Sequence, residues 1–305
     1  TVSVLYWLRA MRVALCQLAV GADKAANIAR ATAAIAASAT AAAPARLVVL
    51  PECFNCPYGT KYFADYAEAI PAVGSSLTTD NNAASPTVAA IGSVAAANKV
   101  WVVAGSIPER DGEGNLFNTS MTVGPDGVLR GRHRKMHLFK INTDTVKFDE
   151  SEVLKAGDEP TIVAECESDL GVKLGVGICF DVRFPQLAMH YHQQGTGCIV
   201  YPGAFNMVTG PKHWELAARS RAVDAQQFVI MCSPARDEGA DYVAYGHSLV
   251  VDPWGEVIAT AAGGEETTVF ADLDLGAIAG ARTRLPVTAG VRHDLYGLQW
   301  HKQQQ

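Results

Sequence analysis

Short apolar runs alternate with helical segments along almost the whole chain, and this alternation limits the possible folds more than any other feature. The run at 47–50 reads LVVL, with no polar position, which is typical of a strand buried on both faces. Mainly apolar runs at 172–178 and 198–201 have a similar character. Because such strands are covered by helices on their outer faces, the alternation predicts an α/β protein.

The predicted helices lie between these runs. Asp23 is a favourable N-cap for an Ala-rich helix that we expect to reach about residue 43, before Pro44. Further helices are predicted at 83–98, 184–193 and 211–227, the last with Pro211 at its first position. Strands are predicted at 12–18, 47–50, 100–107, 118–123, 127–132, 172–178, 198–201, 228–233, 245–251, 256–259 and 268–271.

The number of predicted strands points to two sheets. A twisted open sheet rarely holds more than about ten strands, whereas two sheets stacked face to face, with helices outside, would bury the doubly apolar runs. The chain has 305 residues, enough for such a core, and we find no linker, charged run or short repeat. We therefore expect one domain over 11–296, an extension over 1–10 and a C-terminal tail over 297–305.

The composition of the chain excludes several classes of protein function. The net charge of −6 argues against nucleic-acid binding, because proteins that bind nucleic acids are usually basic. No window of 18 or more residues is apolar throughout, so we expect no membrane-spanning segment. Seven cysteines, an odd number, argue against a disulfide framework and favour a reducing compartment. We expect the cytoplasm, with the mitochondrial matrix as an alternative.

Three reactive side chains stand where apolar runs give way to polar residues or loop. Glu52 follows the run 47–50, Lys135 follows the predicted strand 127–132, and Cys179 follows the run 172–178. Catalytic side chains of α/β proteins gather at the open ends of strands. A carboxylate base, a fixed ammonium group and a thiol are the parts needed to make and break an acyl thioester. The pattern indicates a Cys-dependent amide hydrolase.

Each of these residues also has a non-catalytic interpretation. A Cys beside apolar residues is usually buried and inert, and a Glu after a strand can form a salt bridge or cap a helix. Lys135 ends a cationic cluster, 132–135, that could be a solvated patch or a phosphate site. Glu150 is one of three neighbouring acids, with Asp149 and Glu152, that the sequence alone does not distinguish.

Two electrostatic expectations follow for the reactive groups. Burial after an apolar strand should raise the pKa of Glu52 into the range useful to a general base. The helix predicted after Cys179, together with a nearby lysine, should lower the pKa of the thiol and favour the thiolate.

Two other motifs are set aside as structural. Cys53 and Cys56 form a C-x-x-C pair, but neither a helix start nor a second pair at zinc spacing accompanies them. His133 and His137 are four residues apart, without the glutamate of a zinc-protease motif. We interpret the two histidines as packing or charge neighbours of Lys135.

The reactive residues lie in motifs that resemble the nitrilase, or carbon–nitrogen hydrolase, superfamily over about 11–296, and within it the omega-amidase branch. In two positions the chain departs from the usual pattern, with Cys56 in place of Ser and Phe180 in place of Tyr. The matching stretches are LPECFNCPYG (50–59), GSIPE (105–109), LFNTS (116–120), HRKMHLF (133–139), GICFDVRFP (177–185), the run 201–226, SPARD (233–237) and YGHSLVVDPWGEV (245–257).

The resemblance implies an α-β-β-α sandwich that forms a homodimer and needs no metal or cofactor. It implies Cys179 as the nucleophile, Glu52 as general base and acid, Lys135 as electrostatic stabiliser and Glu150 as a second glutamate that orients Lys135 or water. The implied substrate-binding residues, including those that grip a distal carboxylate and carbon chain, are Arg183, Phe205, Thr209, Tyr58 and Phe180, the last through its backbone N–H.

The implied substrates are small amides with a distal carboxylate, such as α-ketoglutaramate and α-ketosuccinamate. The nearest alternative is an amidase for deaminated glutathione, which would share the reactive residues and differ in its pocket. A true nitrilase, a catalytically idle scaffold and a zinc or redox protein built on Cys53 and Cys56 are the remaining alternatives.

Overall fold

The structure, a computed structural model, describes residues 10–78, 84–143 and 147–301 as alternating strands and helices. Its strands are β1 (Ala10–Gln17), β2 (Leu47–Val49), β3 (Trp101–Val103), β4 (Ile107–Arg110), β5 (Leu116–Val123), β6 (Leu129–Arg134), β7 (Lys140–Asn142), β8 (Lys147–Asp149), β9 (Thr161–Val163), β10 (Leu174–Val176), β11 (Cys198–Pro202), β12 (Phe228–Cys232), β13 (Leu249–Val251), β14 (Val257–Thr260) and β15 (Thr267–Asp274). Its helices are α1 (Lys24–Thr40), α2 (Thr60–Tyr66), α3 (Pro86–Asn98), α4 (Glu167–Leu170), α5 (Pro185–Gln193), α6 (Gly210–Ala225) and α7 (Gly276–Arg284), with 3₁₀ turns at Glu150–Glu152, Cys179–Arg183 and Thr288–Gly290.

The strands form two mixed sheets and a separate hairpin. The first sheet has the order β15-β1-β2-β3-β5-β4, with β6 paired to β5, and the second has the order β14-β13-β12-β11-β10-β9. Each sheet has a parallel centre, β1-β2-β3 in the first and β10-β11-β12 in the second. Parallel neighbours need a crossover connection, which α1 supplies between β1 and β2 and α5 and α6 supply in the second sheet.

The two sheets pack face to face through a shared apolar core. Fully buried side chains from both sheets meet there, including Val13, Leu15 and Val49 from the first sheet and Val176, Val200 and Ile230 from the second. Burial of a single side chain of this size contributes about 1.5–3 kcal/mol, so this core holds the sheets in one fixed arrangement.

The outer faces of the sheets are covered by helices. Ile35 of α1 and Ile91 of α3 pack on the first sheet, and Tyr191 of α5 and Trp214 of α6 pack on the second. The resulting order of layers is helix, sheet, sheet, helix. The predicted α-β-β-α sandwich is confirmed.

Most predicted elements are present, with shifted ends. Asp23 caps α1 as predicted, accepting a hydrogen bond of 3.0 Å from the Ala26 N–H, but the helix ends at Thr40. The predicted strand 245–251 is shortened to β13. Ala10, which we assigned to the extension, begins β1. The rest of the predicted extension, residue 83 of the predicted helix 83–98 and residues 302–305 of the predicted tail lie outside the described residues.

The predicted strand 100–107 is wrong, because it is two strands, β3 and β4, that turn apart at Gly105. Gly105 has φ +46, and a Cβ at this position would lie 1.9 Å from the carbonyl oxygen of Pro51. The turn therefore requires glycine. It brings the chain against the residue that precedes Glu52.

Within the described ranges, no helix is both long and apolar enough to cross a membrane.

The stacked sheets bring the ends of distant strands to one place. Glu52 follows β2 in the first sheet, and Cys179 follows β10 in the second. Lys135 directly follows β6, and Glu150 follows β8 of the small hairpin. The four segments converge on one buried region.

Candidate active site

Lys135 is a buried ammonium group held between two carboxylates. Its Nζ lies 3.0 Å from Glu52 Oε1 and 2.9 Å from Glu150 Oε1, and all three side chains are fully buried. A charge is tolerated inside a protein only when it is paired and hydrogen-bonded, and removal of one partner costs about 3–5 kcal/mol. Three residues predicted from separate segments thus form one ionic cluster.

Further hydrogen bonds fix both carboxylates. Glu52 Oε1 accepts from Asn118 Nδ2 at 2.9 Å, and Glu52 Oε2 accepts from the Ala204 N–H at 2.8 Å. Glu150 Oε1 accepts from the Tyr58 hydroxyl at 2.7 Å, and its Oε2 accepts from the Phe139 N–H at 2.6 Å. The orientation of the cluster is therefore set by groups on several different segments.

Cys179 lies beside this cluster at the start of a 3₁₀ turn. It is 3% exposed and has φ +47, and its thiol lies near enough to the Glu52 carboxylate for each group to shift the pKa of the other. A positive φ is uncommon for a residue with a side chain, and at functional sites such backbone strain is maintained by the surrounding structure. Gly203, after β11, leaves the needed room, since a Cβ there would lie 3.1 Å from Cys179 Cα.

The burial of the cluster sets its protonation states. Burial raises the pKa of Glu52, as predicted, although the Lys135 charge opposes the shift. Burial alone would lower the pKa of Lys135, but the charges of Glu150 and Glu52 outweigh it and hold the pKa well above its ordinary value. Lys135 is therefore a permanent cation, and Glu52 is a carboxylate with increased affinity for a proton.

The predicted low pKa of the Cys179 thiol is wrong. Burial and the neighbouring Glu52 carboxylate raise this pKa well above its ordinary value, and the opposing effect of Lys135 is smaller. The residue also begins a short 3₁₀ turn rather than an α-helix, so the expected helix dipole is weak. The resting group is a thiol, and the adjacent carboxylate is placed to take its proton.

Asp181 connects the Cys179 turn to the segment that carries Lys135. Its Oδ2 accepts from the Ile178 N–H at 2.9 Å and lies 3.0 Å from His133 Nε2. Its Oδ1 accepts from the His137 N–H at 2.9 Å and lies 2.7 Å from His137 Nδ1. The two histidines interpreted as neighbours of Lys135 therefore direct their rings to Asp181.

The charge of Asp181 is well stabilised. Burial alone would raise its pKa, but the hydrogen bonds from His133 and His137 hold the pKa well below its usual range. Asp181 is thus a buried, ionised carboxylate that accepts four hydrogen bonds, from the Cys179 turn and from the segment that carries Lys135.

A small void separates Cys179 from Arg183. It has a volume of about 10 Å³, and its walls include four of the predicted substrate-binding residues, Phe180, Arg183, Phe205 and Thr209. Three further residues that the sequence did not single out, Phe139, Ala204 and Tyr242, complete the lining. So small a void requires side chains to move when an amide enters.

Arg183 is held in this void by aromatic rings. Its guanidinium carbon lies 4.6 Å from the centre of the Phe205 ring and 5.6 Å from that of Phe180. Burial lowers the pKa of the guanidinium, which still remains charged. A partly desolvated cation of this kind can accept a carboxylate from a ligand.

Tyr58 lies apart from the other predicted substrate-binding residues. Its hydroxyl is bound to Glu150, and its ring lines a larger cavity of about 200 Å³ that also reaches Glu52, Ala204 and Tyr242. The two cavities share Ala204 and Tyr242 in their walls, and the Tyr242 hydroxyl donates to the Ala204 carbonyl at 2.6 Å. In this structure, Tyr58 positions Glu150.

Several supporting residues were missed at the sequence level. Asn118 and Asp181 hold Glu52 and the Cys179 turn, yet each is an ordinary polar residue beside apolar neighbours. Their only sequence signal is their presence in the motifs LFNTS and GICFDVRFP. Tyr242 lies outside every motif quoted above.

The C-x-x-C pair forms part of the cavity wall beside Glu52. Cys53 and Cys56 are both buried free thiols, and burial raises the pKa of Cys53 well above its ordinary value. Among the residues that the structure describes, no group of three or more His, Cys, Asp or Glu side chains is arranged to hold a metal ion.

We predict that Asp181→Asn lowers kcat by about 100-fold, because small displacements of a reacting group have effects of that size. The amide nitrogen would face N–H donors and break part of the four-bond arrangement around Asp181. Steady-state kinetics and the rate of Cys179 alkylation by iodoacetamide would measure the effect.

His137→Phe is the milder companion variant, since it keeps the stacking on Phe184 (centroids 3.6 Å apart) and removes the ring hydrogen bond. It should give a smaller loss in kcat with little change in KM. A lowered melting temperature with normal kcat and normal alkylation in both variants would leave Asp181 a purely structural residue.

Comparison with known proteins agrees with this geometry. The chain matches the carbon-nitrogen hydrolase family model over residues 12–283. It is 47% identical to omega-amidase NIT2 of Bos taurus over 294 residues, which covers 95% of this chain and 98% of that protein. It is 46% identical to the chloroplastic omega-amidase of Arabidopsis thaliana over 287 residues, which covers 94% of this chain and 73% of that protein.

The fold is also found among solved structures. Saccharomyces cerevisiae Nit3, a member of branch 10 of the nitrilase superfamily, is 42% identical, with a TM-score of 0.81 over 93% of this chain and 97% of that one. The amidase from Nesterenkonia sp. AN1 is 20% identical, with a TM-score of 0.72 over 93% of this chain and 95% of that one, and shares the fold. The motifs, the layers of the sandwich and these matches agree, and the chain belongs to the carbon–nitrogen hydrolase family.

Proposed function

We propose that the protein is an omega-amidase, which hydrolyses the terminal amide of α-ketoglutaramate or α-ketosuccinamate to the dicarboxylic keto acid and ammonia. The observation that carries the proposal is the buried arrangement of Cys179, Glu52, Lys135 and Glu150. Cys179 and Arg183 line the same small void, an arrangement that suits a short amide with a carboxylate at its other end.

In the first half of the proposed reaction, Glu52 takes the thiol proton as Cys179 Sγ attacks the amide carbon. The negative charge that develops on the carbonyl oxygen is stabilised by Lys135 and by the Phe180 N–H, which lies in the first turn of a 3₁₀ segment and has no partner within that segment. One such donor is typically worth about 3–4 kcal/mol. Glu52 then gives its proton to the amide nitrogen, ammonia departs and a thioester on Cys179 remains.

In the second half, Glu52 takes a proton from a water molecule, which attacks the thioester carbon. The C–S bond breaks, the acid leaves and Cys179 recovers its proton from Glu52. Glu150 orients Lys135 through their direct ion pair. The high pKa of Lys135 supports its role as a fixed charge that neither accepts nor donates a proton during the cycle.

The distal carboxylate of the substrate is proposed to bind Arg183. The guanidinium has no carboxylate partner within 4 Å in the described part of the chain, and Phe205 and Thr209 adjoin it in the void. A planar guanidinium can bind a carboxylate through two parallel hydrogen bonds. Phe205 would then pack on the carbon chain between the carboxylate and the amide.

We predict Cys179-dependent ammonia release from α-ketoglutaramate that exceeds the release from succinamate and from deaminated glutathione. The Cys179→Ala protein serves as the blank, and its circular dichroism and melting curve should match those of the native protein. Preference for deaminated glutathione would keep the mechanism and replace the proposed substrate. Turnover by Cys179→Ala would contradict the mechanism itself.

We predict that Arg183→Lys raises KM for α-ketoglutaramate by roughly 10- to 100-fold, the value of a lost charge-assisted hydrogen bond. KM for an uncharged amide of the same length should change little. Arg282→Lys is the matched control, because Arg282 contacts His192 on the outer helices instead of the void. Equal changes in KM for the charged and uncharged amides would remove Arg183 from carboxylate binding.

We also propose that two copies associate through the outer face of α6. Leu216, Val223 and Trp254 are 62%, 45% and 42% exposed and line one shallow groove, and exposed apolar surface of this kind is typical of protein interfaces. We predict a dimer mass in sedimentation equilibrium and a monomer for Leu216→Asp. Leu295→Asp, at another exposed leucine, is the control; a monomeric native protein would exclude the dimer.

A cytoplasmic location is proposed as well, with the mitochondrial matrix as the alternative. All seven cysteines are free thiols in the structure, which fits a reducing compartment.

A further inference from the structure

Arg183 has a second neighbour that the proposed mechanism does not use. Its Nη1 lies 3.1 Å from Nδ1 of His213, which lies in the first turn of α6. A guanidinium has only N–H donors, so Nδ1 must be the acceptor. The His213 ring is therefore in the neutral form that carries its proton on Nε2.

The orientation of the Arg183 guanidinium depends on its hydrogen bond to His213. Phe205 and Phe180 contact the guanidinium, so they restrict its tilt but donate and accept no hydrogen bond. The bond to His213 fixes the rotation of the group within its own plane. With Nη1 engaged in this way, the Nη2 and Nε hydrogens remain as the edge that can bind both oxygens of a carboxylate.

We propose that His213 is a positioning residue that sets specificity for amides with a distal carboxylate, by accepting a hydrogen bond from Arg183 and directing the free edge of the guanidinium to the substrate. This inference rests on the proposed function and names a determinant of its substrate class. His213 itself contacts neither the reacting atoms nor Cys179 in this scheme.

The electrostatic surroundings keep His213 neutral near pH 7. Burial, the charge of Arg183 and the charge of Lys212 lower its pKa from the ordinary value. Arg183 belongs to the Cys179 turn and Lys212 to α6 itself. From α5, β12 and β13, which pack against α6, no titratable group of the described residues shifts the pKa of the ring.

The same geometry makes specificity depend on pH. Protonation of Nδ1 removes the acceptor and places a second positive charge against Arg183. Because the pKa of His213 lies below that of an ordinary histidine, about 6.5, the bond is formed at neutral pH and is lost as the pH falls below that value. Acid should therefore weaken selection for carboxylated amides.

The test compares kcat/KM for α-ketoglutaramate with kcat/KM for an uncharged amide of the same length. Protonation of Glu52 or Cys179 changes kcat/KM for both substrates, so its effect drops out of the ratio of the two values. His213→Leu removes the acceptor and should lower the ratio about tenfold at pH 7.5, the value of one charge-assisted hydrogen bond. Turnover of the uncharged amide should stay near the native rate, which shows that the variant is folded.

His213→Asn is the conservative variant, because its Oδ1 can take the place of Nδ1 and does not titrate. It should keep a ratio close to that of the native protein at pH 7.5 and hold it as the pH is lowered. In the native protein, the ratio should hold from pH 7.5 down to about 6.5 and decline toward that of His213→Leu as the pH falls further below that value.

His192→Leu is the matched control, because it removes another histidine whose ring accepts a hydrogen bond from an arginine. His192 Nδ1 lies 3.1 Å from Arg282 Nη2, away from the void. This variant should leave the ratio and its pH dependence unchanged.

Two results would overturn the inference in distinguishable ways. If Arg183→Lys lowers the ratio and His213→Leu does not, carboxylate binding by Arg183 stands and the role of His213 is wrong. If neither variant changes the ratio, the carboxylate-binding part of the proposed function fails, and the inference fails with it.

Discussion

The rest of the site depends on one buried interaction, the ammonium group of Lys135 held between the carboxylates of Glu52 and Glu150. Three charges in an apolar interior are stable only if each is paired and fully hydrogen-bonded. This requirement explains why Asn118, Ala204, Tyr58 and Phe139 all direct donors to the two carboxylates. Burial raises the proton affinity of Glu52 against the opposing charge of Lys135, and the two carboxylates keep Lys135 charged. Both properties suit a carboxylate base beside a neutral thiol.

The sandwich makes this interaction possible because it brings together segments far apart in the chain. Glu52 and Cys179 follow parallel strands of different sheets, and the apolar core between the sheets fixes the distance between them. Local devices then adjust the geometry. Gly105 and Gly203 allow close approaches behind Glu52 and Cys179, where a Cβ would collide with the backbone or crowd it. Asp181 connects the turn of Cys179 to the segment of Lys135 through four hydrogen bonds.

In the proposed function, selectivity depends on a second arrangement, in which a charge is present without a carboxylate partner. Arg183 is restrained by aromatic rings and by the neutral imidazole of His213, which leaves its charge uncompensated within the described residues. The contrast with Lys135 is physical: we propose that the fully paired cation serves the reaction as a fixed charge and that the unpaired cation next to a void receives an anionic ligand.

The sequence by itself determined the class of the fold and indicated the candidate reactive residues. Runs such as 47–50 have the pattern of doubly buried strands, and reactive side chains at the ends of such runs indicated Glu52, Lys135 and Cys179. The family resemblance gave Glu150 and Arg183 their proposed roles, and without it both look like ordinary surface charges. Sequence patterns cannot show which polar groups meet across the fold, so Asn118, Asp181 and His213 were not assigned a role.

Only the tertiary structure decided the protonation state of Cys179 and the partners of each charge. The sequence predicted a thiolate from a following helix and a nearby lysine, but burial and Glu52 together outweigh Lys135. It also predicted one strand at 100–107, where contact with Pro51 forces a turn at Gly105. Both errors have the same reason: desolvation and close packing depend on residues distant in sequence, and local patterns carry no information about them.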